Sequence, residues 1–130
     1  MGAIGHVRAK HRTPALRTFA MPSDTNPSGD IFGGWLLSQM DMAGGSVAAE
    51  RAKGRVVTVG IEAMKFHRPV MVGDEVSCYA EIVRVGTTSI TVHIDTFVRR
   101  PYSGEHEPIK VTEGVFTYVA LGEDRKKRVI

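Results

Sequence analysis

One stretch, Asn26–Ala49, reading NPSGDIFGGWLLSQMDMAGGSVAA, limits what this chain can become more than any other. From Gly33 to Ala49 it is apolar or small almost throughout, and Asp41 is its one charge. That run is long enough for roughly four to five helical turns. An unpaired carboxylate buried in such a helix costs several kcal/mol or is forced to stay protonated. Asp41 is therefore either used or specifically satisfied. The pattern alone leaves both open: a catalytic acid, or one held by Ser or Thr hydroxyls or a salt bridge. The preceding loop is built of turn-formers, among them Asn26, Pro27, Gly29 and Asp30. It ends in Gly33-Gly34, where free N–H groups at a helix start can approach a ligand closely. A lone acid and an N–H pair one or two turns apart suit a hydrolytic site.

The helix is expected from Gly33 to Lys53, with Trp35, Leu36, Met40, Ala43, Val47 and Ala48 on its apolar stripe and Gly54 as terminator. Gly44 and Gly45 each weaken it by roughly 1 kcal/mol relative to Ala, which suggests that another backbone passes close by. A strand over Leu16–Met21 precedes it, stopped by Pro22. Strands are expected afterwards at Arg55–Phe66, Glu75–Val85, Ser89–Arg100 and Ile109–Leu121. Val72-Gly73-Asp74 is a turn, Gly86-Thr87-Thr88 closes a hairpin, and Pro101–Pro108 reads as a polar loop. Apolar alternation places Val57, Val59, Ile61 and Ala63 on one face of the first of these strands. Ile90, Val92, Ile94, Thr96 and Val98 share a face of the third, and Val111, Val115, Val119 and Leu121 a face of the last. The sum is an α+β domain, a five-stranded antiparallel sheet wrapped around one long central helix. So apolar a helix needs more cover than one sheet supplies, so a dimer is expected.

A chain of 130 residues suits one domain. We place it at residues 13–122, between a basic flexible N-terminus (1–12) and a charged C-terminal tail (123–130). With a formal net charge of +3, the basic ends read as solvated tails and no nucleic-acid surface is expected. Cys78 is the single cysteine, which rules out an intrachain disulfide or a cysteine-based metal cluster and reads as a buried thiol. His6, His11, His67, His93 and His106 show no ligand spacing, so no metal is expected. Ser38 and Ser46 lack a nucleophile elbow, against a serine hydrolase. No apolar run approaches the ~20 residues of a membrane span, residues 1–13 lack a secretory core, and a cytoplasmic protein is the expectation.

The motifs, in this order, resemble the hotdog-fold acyl-CoA thioesterases and are close to the YciA-type bacterial enzymes, from Leu16 to Leu121. The matching segments are DTNPSGDIFGGWLLSQMD (Asp24–Asp41), GRVVTVGIEAMKFHRPVMVGDEV (Gly54–Val76), GTTS (Gly86–Ser89) and FTYVAL (Phe116–Leu121). Many members of the fold carry His-Gly-Gly at the helix start; Phe32 stands in that histidine's place, so no role is carried over for it. The resemblance implies hydrolysis of fatty acyl-CoA thioesters to free acid and CoA. It implies a homodimer as the minimal active unit, assembled into a hexamer as a trimer of dimers, with CoA entering only as substrate moiety and product and no cofactor required. It makes Asp41 the base or nucleophile, sets Asn26 opposite it across the dimer interface, and gives the Gly33 and Gly34 amides the thioester carbonyl to polarise.

For the CoA moiety, whose phosphates need cations and free amides, the candidates are Gly86, Thr87, Thr88 and Ser89, together with Arg99 and Arg100. Arg68 is a weaker one. Val59 and Gly60 are expected beside the acyl or pantetheine chain, because a mid-strand glycine permits close approach. Two other functions compete: a non-catalytic acyl-CoA-binding module with Asp41 tied up, and a hotdog acyl-thioester hydratase or dehydratase. The resembling hydratases pair a histidine with an acid, and neither the helix nor the loop before it contains a histidine.

Overall fold

The helical run and the period-two alternation that follows it resolve into one long helix and one sheet in the computed structural model, which describes residues 12–130. Residues 1–11 of the N-terminal segment expected to be flexible lie outside the described residues. In chain order the elements are β1 (Leu16–Phe19), a 3-10 turn (Pro22–Asp24), α1 (Gly33–Ala52), β2 (Val56–Phe66), β3 (Glu75–Val85), β4 (Ser89–Arg100) and β5 (Glu105–Ala120). The strands form one 5-stranded sheet in the order β1-β3-β4-β5-β2, antiparallel at every pairing. α1 crosses one face and touches all of them. This is the expected α+β hotdog arrangement.

α1 buries Leu36, Met40, Ala43, Gly44, Ala48 and Ala52, three or four residues apart save for one adjacent pair. They meet Val76 and Cys78 of β3, Ile90, Val92, Ile94 and Val98 of β4, and Phe116 and Tyr118 of β5. Each large apolar side chain buried there contributes ~1.5–3 kcal/mol. Trp35 and Val47 are half-buried only, and Met42 on the far side of α1 is 53% exposed. The exposed apolar surface continues onto the edge strand β2, where Val57, Val59 and Phe66 are exposed.

Four expectations change. α1 ends at Ala52, two residues before Gly54: Lys53 takes the left-handed conformation (φ 55°, ψ 42°), and its N–H and that of Gly54 close the last turn. β5 begins at Glu105, so the loop is only Pro101–Gly104. Pro108 is tolerated because β2 pairs with β5 only from Thr112 onward, leaving that stretch with no neighbour to bond on one side. The core-facing residues of β5 are Gly114, Phe116, Tyr118 and Ala120, not Val115 and Val119. A register shift opposite Thr96/Phe97 resets the alternation, and Tyr118 must face α1 to reach Asp41. Finally, the C-terminal residues fold back on the domain. Leu121 bridges to Lys127, Arg128 donates to the carbonyls of Leu121 and Ala52, and the N–H of Ile130 donates to Thr87 O at 3.0 Å.

The two helix glycines also differ from each other. A Cβ on Gly44 would collide with the Tyr118 hydroxyl and lie 2.7 Å from Ile94 Cδ1, whereas one on Gly45 would rest 3.6 Å from the Tyr118 ring. Side chains, not a backbone, therefore pass close, and only at Gly44. Gly44→Ala should lose about 1–3 kcal/mol by overpacking, while Gly45→Ala should gain up to ~1 kcal/mol from helix propensity. Urea midpoints moving in opposite directions check this; a shared direction contradicts it.

Candidate active site

Asp41 lies on α1 two turns beyond the helix start, and its partners come from two paired strands. Thr58 Oγ1 donates to Asp41 Oδ1 at 2.7 Å, and Tyr118 OH lies 3.1 Å from the same oxygen and 3.0 Å from the Asp41 backbone carbonyl. Thr58 and Tyr118 are register partners in the β2–β5 ladder, so strand pairing fixes the spacing of the two hydroxyls. Among the described residues no cation pairs with Asp41, and its Oδ2 makes no hydrogen bond. The half-buried carboxylate is thus anchored through one oxygen and open at the other. Hydroxyls thus satisfy one oxygen of Asp41 and, among the described residues, leave the other without a hydrogen bond.

Sequence reasoning missed Thr58 and Tyr118. The one available signal was a threonine inside the apolar run VVTVGI and a tyrosine inside FTYVAL. Burial first, then the charge and hydrogen bond of Asp41, push the Tyr118 phenol well above the ordinary tyrosine range, so it stays a donor.

At the helix start, Phe32 offers no side-chain cap and the first turn holds no acid, so the N–H groups of Gly33 and Gly34 meet no capping side chain. A surface cavity of about 230 Å³ opens there beside Phe32, Gly33, Leu36, Phe66 and Arg68. Asn26 serves its own loop: its Oδ1 accepts from the N–H of Ser28 at 2.9 Å and of Asp30 at 3.1 Å. Its side-chain NH₂ makes no hydrogen bond among the described residues. Gly33 and Asp41 are about 12 Å apart along the axis, so one chain does not bring the amide pair and the acid to a single carbonyl.

The expected CoA contacts separate. Gly86–Ser89 forms a tight turn, with Gly86 N donating to Ser89 O at 2.7 Å, at one end of β4. Arg99 and Arg100 lie at the other end, roughly 33 Å away at 3.3 Å per residue. Both are engaged there: Arg99 with Glu75 through two bonds of 3.1 and 3.2 Å, Arg100 with the buried Asp74 at 3.1 Å and with Pro69 O. The Arg99 hydrogen bond holds the Glu75 carboxyl below its ordinary value against the opposing effect of burial. Within one chain these arginines brace the β3–β4 end and form no common site with the turn. Val59 is 56% exposed and Gly60 has open space over it, both on the β2 edge.

The fold also assembles a group that sequence spacing does not reveal. His93, Asp95 and Glu113 bring possible ligand atoms within 4.8 Å of one another, on β4 and β5. The Lys110 ammonium sits among them, 3.2 Å from Asp95 Oδ1 and 3.3 Å from Glu113 Oε2, and His67 bonds Glu113 at 2.7 Å. Arg12 adds a second cation 3.9 Å from Asp95 Oδ2, so both carboxylates have cationic partners.

The thioesterase superfamily model matches residues 28–102, from within the loop before the helix through all of α1 and β2 to β4. The chain belongs to the thioesterase superfamily. It is 56% identical over 117 residues to the acyl-CoA thioester hydrolase YciA of Salmonella typhimurium, covering 87% of this chain and 86% of that one. Among solved structures, a hexameric broad-specificity acyl-coenzyme A thioesterase superposes with a TM-score of 0.88 at 47% identity, over 91% of this chain and 86% of that one. The hexameric thioesterase of Yersinia pestis gives 0.85 at 50% identity, over 92% and 96%. Among the described residues no helix is long and apolar enough to cross a membrane.

The raised phenol has a consequence for stability. Below pH ~10 Tyr118 is protonated in folded and unfolded chains alike, and its bonds to Asp41 contribute fully. Above that the unfolded chain ionises while the folded one resists, so stability falls as pH rises. The Cys78 thiol, pushed up to about 11 by burial, acts in the same direction. Urea midpoints from pH 8 to 11 should therefore fall more steeply for wild type than for Tyr118→Phe, whose remaining slope includes Cys78. Parallel slopes contradict this account.

Proposed function

We propose that this chain hydrolyses acyl-CoA thioesters to a free acid and CoA, with Asp41 as general base. The observation that carries the reading is the carboxylate itself: fixed through Oδ1 by Thr58 and Tyr118, unpaired with any cation among the described residues, and open at Oδ2. A binding module would have no need to leave that oxygen free. Similarity to the YciA acyl-CoA thioester hydrolase over most of the chain supports the substrate class.

In the reaction, Oδ2 takes a proton from a water molecule as its oxygen bonds the thioester carbon. Negative charge moves onto the carbonyl oxygen, where the uncapped amides at Gly33 and Gly34, with the positive end of the α1 dipole behind them, stabilise it. The carbon–sulfur bond then breaks, and the proton on Asp41 passes to the departing thiolate, giving the acid and CoA. Because the amides and Asp41 of one chain are about 12 Å apart, the helix start and the Asn26 NH₂ act from a second copy. The homodimer is then the smallest complete unit, and the exposed apolar residues of β2 suit its interface. A hexamer built as a trimer of dimers matches the hexameric state of the similar structures.

Release of free thiol from acetyl-, butyryl- and palmitoyl-CoA tests the reading. Asp41→Ala should lower turnover at least ~10²-fold while leaving the fold intact. Full turnover in that variant removes Asp41 from the chemistry, and a wild type that releases no thiol from any ester rejects the assignment.

A further inference from the structure

Tyr118 sits in surroundings more specific than an anchor for a carboxylate requires. The residue is 1% exposed, and its ring stacks on Phe116 with centroids 6.4 Å apart and planes at 14°. From the helix side it meets Gly44 and Gly45. Packing of this kind holds the ring in place and leaves the hydroxyl hydrogen as the part that can turn.

That hydroxyl has two acceptors on a single residue. The backbone carbonyl oxygen of Asp41 lies 3.0 Å away and Asp41 Oδ1 lies 3.1 Å away. A phenol has one hydrogen to donate, so the two bonds alternate and are not both made in full. The carbonyl already serves the helix, yet its second lone pair can accept from a side chain. Gly44 is what lets the phenol come so near the helix backbone, since a Cβ there would collide with the hydroxyl. Thr58 differs, because its Oγ1 bond of 2.7 Å to Asp41 Oδ1 is the one hydrogen bond of that side chain among the described residues.

A hydrogen bond to a charge is stronger than one to a neutral oxygen, and a buried donor left without any acceptor is costly. While Asp41 is charged, both hydroxyls therefore favour Oδ1. Once Oδ2 carries a proton, Oδ1 is the carbonyl oxygen of a neutral acid and Thr58 is enough for it. The phenol then has the amide carbonyl of the same residue at the same range, and is satisfied in both states.

We propose that Tyr118 is a positioning residue for the proton transfer: its hydroxyl donates to Asp41 Oδ1 while the carboxylate is charged and turns to the Asp41 carbonyl oxygen when Oδ2 is protonated. The proposal rests on Asp41 as general base and adds what keeps that base charged yet able to accept. The phenol retains its own hydrogen throughout, because burial and the charge of Asp41 oppose its ionisation. The proton on Oδ2 comes from water and leaves with the thiol. Thr58 from β2, Ile94 from β4, Phe116 from β5 and the two glycines of α1 bring no charge to the pair, and among the described residues neither Asp41 nor Tyr118 enters an ion pair.

The pH dependence of thiol release from butyryl-CoA, with kcat and KM read separately, tests this. Tyr118→Phe keeps the ring, and circular dichroism checks its fold. The acid limb of its kcat/KM should move to higher pH by roughly half a pH unit or more, because the charged carboxylate loses a donor. On the plateau kcat should fall about three- to tenfold as Oδ2 is less firmly directed, while KM stays within about twofold because the buried ring has no surface to offer a substrate. A limb that stays in place or moves to lower pH, or a change confined to KM, overturns the proposal and leaves Asp41 as base so long as Asp41→Ala is inactive. Full turnover in Asp41→Ala removes both. A second measurement needs no variant: in wild type the buried Tyr118 hydroxyl proton, followed by NMR, should move to higher field as pH falls through the limb and stay slow to exchange. A resonance that does not move, or that is lost to exchange below the limb, overturns the change of acceptor.

Discussion

The whole arrangement turns on one oxygen atom. Asp41 Oδ1 is where α1, β2 and β5 meet through polar contact, with Thr58 and Tyr118 donating to it from adjacent strands. That contact lets a carboxylate sit half-buried on a helix otherwise made of apolar and small residues, because two hydroxyls take the place of the water it gives up. It also dictates what surrounds it. Tyr118 must face the helix, so Gly44 must lack a side chain, and the alternation of β5 is set by a phenol rather than by its valines.

A costly feature of this kind persists when function uses it, and in the proposed mechanism the free oxygen is that use. The anchoring hydroxyls fix the direction of Oδ2 and carry no charge of their own. In the same proposal the helix start supplies the complementary half of the chemistry through amides that meet no capping side chain among the described residues. The two halves lie too far apart in one chain, so the proposed mechanism makes catalysis and association a single requirement. A sheet edge and helix flank that expose Val57, Val59, Phe66 and Met42 belong to the same logic.

Much of this was legible in the sequence, for physical reasons. The helix boundaries came from a long apolar run flanked by turn residues, and β3 and β4 came from strict alternation over a half-covered sheet. Asp41 stood out because a lone charge in that run demands an explanation. What stayed hidden depends on contacts between residues far apart in the chain. Nothing local marks Thr58 and Tyr118 as register partners, nor shows that Arg99 and Arg100 pair with Glu75 and Asp74, which lie across the β3–β4 ladder and the turn before it. The charged C-terminus misled because its composition reads as solvated tail, while its arginine at position 128 finds the open carbonyls at the end of α1. Lys53 misled in the same way, since a glycine next door is the usual helix stop.

The central claim is that Asp41 is retained to accept a proton and is not merely an anchor between helix and sheet. Asp41→Asn separates the two, because an amide oxygen still accepts from Thr58 and Tyr118 but the side chain no longer takes a proton from water. Thiol release should fall to background while the thermal midpoint stays within a few degrees of wild type. A variant that unfolds early, or one that is stable and still turns over near the wild-type rate, contradicts the account.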